Sequence, residues 1–191
     1  MLTGTRRARA AGRWVPDITS FDKTLGAAQA PVTIIEYASF TCPHCANFHN
    51  TVLPSLKKQY VETGKVRLVF RDFPLGGLAL RASILARWVP DERYFAFVDT
   101  LFQTQQNWAH ADDPVRALGR IGRLAGLSQD DIDGCLNDKT LANEILAARR
   151  EGAQKYGVDA TPSFIVGGRK LSGEQTLGDL TTVIEPLLGA S

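Results

Sequence analysis

Two cysteines separated by a proline and a histidine, Cys42-Pro43-His44-Cys45, are the residues of this chain best placed to do chemistry. Thiols at that spacing can close into a disulfide and open again. The apolar run VTIIEYASFT at 32–41 reads as a strand and the residues from Pro43 onward as a helix, which puts Cys42 at a helix N-terminus. Unpaired backbone N–H groups and the helix dipole favour negative charge there. A thiolate is charged and a thiol is not, so the Cys42 pKa is expected below the ~8.5 of a free cysteine. Cys42 is therefore the expected nucleophile and, as a thiolate, a good leaving group. Cys45, one turn further in, is the expected resolving thiol. The His44 imidazole can favour the Cys42 thiolate by hydrogen bonding or charge, and Pro43 stiffens the helix start without removing a donor the helix would use. The competing reading is a metal-binding module that uses the dithiol and His44 for copper or zinc. Structural zinc wants four ligands, and Cys135, His44, His49 and His110 do not repeat the cysteine spacing.

The elements that must position this pair can be read outward from it. Residues 26–31 are a small-residue lead-in to a strand at 32–39. A helix at 43–62 carries Phe48, Val52, Leu56 and Tyr60 on one stripe, with Pro54 expected to kink it and Gly64 to end it. KVRLVFR at 65–71 alternates as a half-buried strand does. From 78 to 156 the strand signal vanishes. Helices are expected at 79–88 and 92–106, then one opening at Asp113-Pro114 and another at Ser128 with Asp131 as its capping partner. A further helix, lined by Leu141, Ile145 and Ala148, ends at Tyr156-Gly157. Strands return at 162–166 and 169–171 around a Gly167-Gly168 hairpin turn, and 175–188 closes as a helix. This order defines an α/β chain with a thioredoxin-like fold and an inserted helical domain. The expected parts are a flexible basic segment at 1–24, core at 25–77, insertion at 78–150 and core at 151–191. Cys135 shares a helical face with Ile132 and Leu136 and is expected to be buried and inert. His49 and His110 show no partner pattern and receive no role.

Composition sets the outer bounds. A chain of 191 residues, 44% hydrophobic and 22% charged, suits one globular domain with a proper core. The net charge of +2 is uneven: residues 1–24 hold Arg6, Arg7, Arg9, Arg13 and Lys23 against Asp17 and Asp22. That cluster is short, terminal and poor in aromatics, which argues against a nucleic-acid surface. No apolar run of about 18 residues could span a membrane, and no apolar h-region of a signal peptide follows the arginines. With two of three cysteines in one pair, no stapling framework of disulfides is expected. No cofactor and no resident metal are expected. Residues 1–24 lack the sustained apolar heptads that could join two copies, which points to a monomer.

Thr161-Pro162 is the second constellation. Proline at a strand's start marks an edge or turn, and an X-Pro bond is where a cis peptide is cheapest, trans leading by only about 0.5–1 kcal/mol. In this element order the proline would face the dithiol and keep a backbone edge open to an extended substrate peptide. APVTIIEYASFTCPHC at 30–45, Leu53-Pro54, GKVRLVFRDFP at 64–74 and GVDATPSF at 157–164 resemble the DsbA family of bacterial disulfide oxidoreductases, over about residues 25–188. The resemblance implies a thioredoxin fold, a cis Pro162, a Cys42 more exposed than Cys45, and disulfide exchange with folding protein substrates that carry cysteines. It also implies a membrane or soluble redox partner that resets the dithiol, and a periplasmic or otherwise exported setting. Glu36, six residues before Cys42, could point outward or lie buried below the dithiol, and the resemblance favours burial. A buried carboxylate has a raised pKa and could relay a proton from Cys45. Two positions depart from the family pattern: Ala160 stands where many relatives have glycine, and Thr161 where strong oxidases carry valine. Threonine there is similar to relatives that include isomerases. An oxidase is the first expectation, an isomerase or reductase of the same fold the second.

Overall fold

The computed structural model describes residues 14–189; Arg6, Arg7, Arg9 and Arg13 lie outside them. Five strands form one mixed sheet: β1 (Lys23–Leu25), β2 (Val32–Ala38), β3 (Val66–Asp72), β4 (Ser163–Val166) and β5 (Arg169–Ser172), in the spatial order β1-β3-β2-β4-β5. β2 and β3 are parallel and every other pairing is antiparallel. A parallel pair needs a crossover, and the helical segments Pro43–Asn47, Phe48–Val52, Leu53–Leu56 and Lys57–Val61 supply it as one uninterrupted run, α1. The remaining helices are α2 (Gly77–Trp88), α3 (Tyr94–Gln103), α4 (Gln105–Ala109), α5 (Pro114–Leu124), α6 (Gln129–Leu136), α7 (Lys139–Tyr156) and α8 (Leu177–Gly189).

β2 is apolar nearly throughout because both its faces are covered. Val32 and Ile34 pack with Phe48, Leu53 and Leu56 of α1 and Leu180 and Ile184 of α8. Ile35 and Tyr37 point the other way, toward Phe73, Val158 and Ile165. On that second face α7 comes so near that a Cβ on Gly152 would lie 2.4 Å from Tyr37 Cε1. Glu36 shares the parity of Val32 and Ile34, so the sheet aims it toward α1. A separate core in the insertion gathers Phe97, Leu101, Trp108, Leu118 and Ile132 and runs up to Phe40 and the dithiol.

Several expectations hold at the level of single residues. Asp113 caps α5 by accepting from the Arg116 N–H at 2.9 Å, Ser128 and Asp131 form a reciprocal capping box, and Gly157 ends α7 in the left-handed region. Gly167 and Gly168 both take positive φ, as the hairpin turn requires. Three features differ. Lys23 and Thr24, placed in the flexible segment by sequence, join Leu25 in an edge strand that pairs with β3. The reason lies on β3, where Arg71 makes a two-pronged ion pair with Asp22 at 2.7 and 2.8 Å, bonds the Asp17 carbonyl at 2.6 Å and reaches the Tyr37 hydroxyl at 2.9 Å. α7 runs unbroken through position 150, so the insertion passes into the core inside one helix. Finally, Pro54 does not cut α1. The run widens to a π-helical turn over Phe48–Val52, in which the Leu53 N–H bonds the Phe48 carbonyl, and a turn of that width absorbs the donor that proline lacks.

Candidate active site

Cys42 is the N-cap of α1, with extended backbone angles and Pro43 in the first helical turn. Its N–H donates to the Ser39 carbonyl at 3.0 Å, and the Ala46 N–H closes the first helical bond on the Cys42 carbonyl at 3.2 Å. The Gln105 side-chain amide from α4 fixes the same turn by donating to the carbonyls of Phe40 and Cys42 at 2.8 and 2.9 Å. Cys42 keeps 4% of its surface exposed and Cys45 none. Both are free thiols in this structure.

The two sulfurs differ sharply in acidity. Cys42 is lowered to about 5: the Cys45 thiol hydrogen-bonds its sulfur, burial opposes, and the backbone N–H groups of Cys45 and His44 add to the lowering. Cys45 moves far in the other direction, through burial first and then through the adjoining Cys42 sulfur. One sulfur is thus a stable anion at neutral pH and its neighbour a stable thiol, the division of labour that thiol–disulfide exchange uses.

Thr161-Pro162 is cis. In the thiol form Cys42 donates to the Thr161 carbonyl at 3.2 Å, so β4 and the start of α1 meet at the sulfur although they are far apart in sequence. The Thr161 hydroxyl is buried and makes no hydrogen bond. The His44 side chain turns outward, its Nδ1 2.9 Å from Glu174 Oε1, and Asn47 donates to the same oxygen at 3.2 Å. That carboxylate holds the imidazolium above its ordinary range. The nearest approach of His44 to the Cys42 sulfur is therefore through its backbone N–H, with its ring charge as an outer contribution. Pro43 stands at the solvent edge, exposed.

Glu36 is wholly buried, and His49 of α1 meets it with Nε2 3.0 Å from Oε1. Burial opposes the His49 imidazolium, and the Glu36 and Asp99 carboxylates outweigh it, leaving the pKa raised. His49 received no role from sequence, although its place one turn beyond Cys45 put it on the same helical face; its carboxylate partner lies on another element. Glu174 and Gln105 were equally silent, since nothing local ties them to the dithiol. Cys135 is buried in α6, donates to the Ile132 carbonyl at 3.1 Å and is pushed up to about 11, mainly by burial. Among the described residues no group of three or more His, Cys, Asp or Glu side chains is gathered as a metal would need, and no helix is long and apolar enough to cross a membrane.

A helix-start dithiol facing a cis proline across a mixed sheet defines the thioredoxin class, and a family profile described as thioredoxin matches residues 19–186. A Rickettsia typhi protein provisionally named a protein-disulfide oxidoreductase is 36% identical over 152 residues, 79% of this chain and 56% of that protein. The crystal structure of Wolbachia pipientis alpha-DsbA1 shares 34% identity and a TM-score of 0.83, covering 90% of this chain and 93% of that one. The structure of a protein-disulfide isomerase from Novosphingobium aromaticivorans shares 25% identity and a TM-score of 0.76, covering 87% and 97%. The chain belongs to the thioredoxin family, within its DsbA branch. It spans 54% to 60% of the length of the Rickettsia relatives it matches.

Proposed function

We propose that this protein is a thiol–disulfide oxidoreductase that forms disulfides in folding proteins through a mixed disulfide at Cys42. The observation that carries the reading is the asymmetry of the dithiol, Cys42 lowered to about 5 beside a buried and protonated Cys45. The steps follow from it. A substrate thiolate attacks Cys42 of the oxidised pair, the Cys42–Cys45 bond breaks, and the departing Cys45 sulfur takes up a proton. A second substrate thiolate attacks the substrate sulfur of the mixed disulfide and releases Cys42 as a stable thiolate. Two substrate thiols have then lost two electrons to the dithiol, one proton resides on Cys45 and the other has gone to solvent. A redox partner, membrane-bound or soluble, returns the dithiol to its disulfide. Thr161 and Pro162 offer the backbone edge against which an extended substrate lies, and Glu36 stands behind Cys45 to handle its proton.

A stabilised thiolate stabilises the reduced form and makes the disulfide more oxidising. The equilibrium potential in glutathione buffer tests this: an oxidase should lie above about −200 mV, and a value near the about −270 mV of thioredoxin would move the reading to a reductase. Thr161 favours isomerase as the second reading, and refolding of a scrambled disulfide substrate separates it from oxidation of a reduced one. The engagement of His44 with Glu174 supports disulfide exchange over a copper or zinc module. The same reading takes the protein as a monomer working in the periplasm or another exported compartment.

A further inference from the structure

Behind the dithiol runs a polar line that leads away from the substrate face. Glu36 Oε2 and His49 Nδ1, the far atoms of the buried Glu36–His49 pair, make no hydrogen bond. Nδ1 instead faces Asp99 Oδ1 of α3 at 3.9 Å, and the Asp99 side chain is 33% exposed. His49 and Asp99 together line a cleft of about 460 Å³ between α1 and α3, rimmed by Asn50, Lys57, Glu62 and Gln103. With ~30 Å³ of liquid volume per molecule, such a cleft holds several waters. Elsewhere the imidazole is walled by rings: Phe102 lies 4.1 Å away, Phe48 5.7 Å and Phe70 5.8 Å between centroids. The charged groups around His49 are Glu36 from β2, Asp99 from α3, and Lys57 of its own helix, which reaches Asp99 at 3.7 Å. Cys45 and Tyr94 are the remaining titratable groups that feel Glu36.

We propose that His49 and Asp99 form the exit through which the Cys45 proton travels between Glu36 and the cleft on the far side of α1. The proposal rests on the exchange reading above. When the reduced protein has formed a mixed disulfide at Cys42, Cys45 must lose its proton before its sulfur can attack. Glu36 receives that proton, His49 takes one at Nε2 and releases one from Nδ1, and Asp99 passes it to the cleft. The Cys45 electron pair forms the bond to Cys42, the bond to the partner sulfur breaks, and the partner leaves as a thiolate with that bonding pair. In the opposite direction the same line delivers a proton to the departing Cys45. The route is needed because Cys45 has no exposed surface of its own. The wide turn over Phe48–Val52 carries His49 and sets it opposite Glu36.

Single-turnover oxidation of the reduced protein by saturating oxidised glutathione, acid-quenched and read by mass spectrometry, isolates the Cys45 step as the first-order decay of the mixed disulfide. It should be followed from about pH 5 to about pH 9 in wild type, His49→Gln and Asp99→Asn. A lost proton carrier costs about 10²-fold at neutral pH; His49→Gln should show that slowing, and Asp99→Asn, nearer solvent, about tenfold. Both deficits should shrink as pH rises, while the bimolecular step at Cys42 and its thiolate titration stay in place. Decay within about twofold of wild type at every pH in both variants would overturn the proposal. Asp99 is a third exposed, so its variant decides the matter should His49→Gln not fold. Failure of the wild type to form any mixed disulfide would overturn the exchange reading and the relay with it.

Discussion

The two sides of the dithiol are built from different materials. On the substrate side lie Cys42, the Thr161 carbonyl and backbone N–H groups, with the exposed His44–Glu174 pair outside them. On the far side lie Cys45, Glu36 and His49, buried among aromatic rings. The N–H donors of the first side stabilise an anion, the Thr161 carbonyl accepting only from the thiol form, and so set where the electrons come to rest. The second holds titratable groups side by side, which on the relay proposed above carry the proton that follows them. A charge is cheapest to stabilise where donors are already fixed; a proton is cheapest to move where acids and bases lie within reach of one another.

The largest effect that would sharpen this contrast comes from the cysteines themselves. Cys42→Ser should abolish exchange, while Cys45→Ser should accumulate a mixed disulfide with a disulfide-bonded substrate, the Cys42 thiolate displacing one substrate sulfur as a thiolate with no Cys45 to resolve the product, visible as a mass shift that a reductant removes. Capture of substrate by Cys42→Ser instead would invert the assignment. Next is the far side: Glu36→Gln should slow decay of the mixed disulfide about 10²-fold and leave the Cys42 titration in place. A variant that moved the titration and spared the rate would put Glu36 on the wrong side of the comparison.

A smaller and slower-varying effect is the pH dependence of stability. Folding lowers the Cys42 pKa to about 5, so the stabilisation it gives the reduced protein is complete above the ~8.5 of an unfolded cysteine. That contribution falls as pH drops and is gone below about 5. Urea denaturation of the reduced and oxidised forms should therefore show an advantage for the reduced form at neutral pH that disappears on acidification. The smallest effect belongs to the outer pair. Glu174 raises the His44 pKa, so the imidazolium persists above its ordinary ~6.5 and is lost as pH climbs past the raised value. Glu174→Gln should bring the ring resonance in a proton NMR titration back toward ~6.5. His44→Ala should raise the Cys42 pKa by about one unit or less, because its ring acts at the edge of the site.

What could be read from sequence divides by separation along the chain. The dithiol is local: a strand, a CxxC and a helix start are contiguous, and Asp113, Ser128 and Gly157 mark their helix ends through bonds that span only a few residues. The cis Thr161-Pro162 was expected from the family resemblance, with the element order in support, and is found. The remaining contacts of the site are not local. His49 was visible one turn past Cys45, but a histidine has meaning there only once β2 turns Glu36 toward it. Glu174 lies 130 residues beyond His44 in the chain, and no pattern links them. Lys23–Leu25 is three residues long, too short for alternation to register, and it is held by Arg71 of a strand that has not yet appeared in the chain. Pro54 sits in a helix whose turns widen on both sides of it, an arrangement that single-residue rules do not describe.

The central claim, one sulfur ionised and its neighbour not, is tested most directly by the thiolate absorbance of the reduced protein near 240 nm, titrated against pH with Cys42→Ser as the reference. A single thiolate should appear with a midpoint near 5, vanish in Cys42→Ser, and be followed by no second ionisation of the pair up to about pH 9. Both cysteines titrating together near ~8.5, the value of free thiols, would contradict the account.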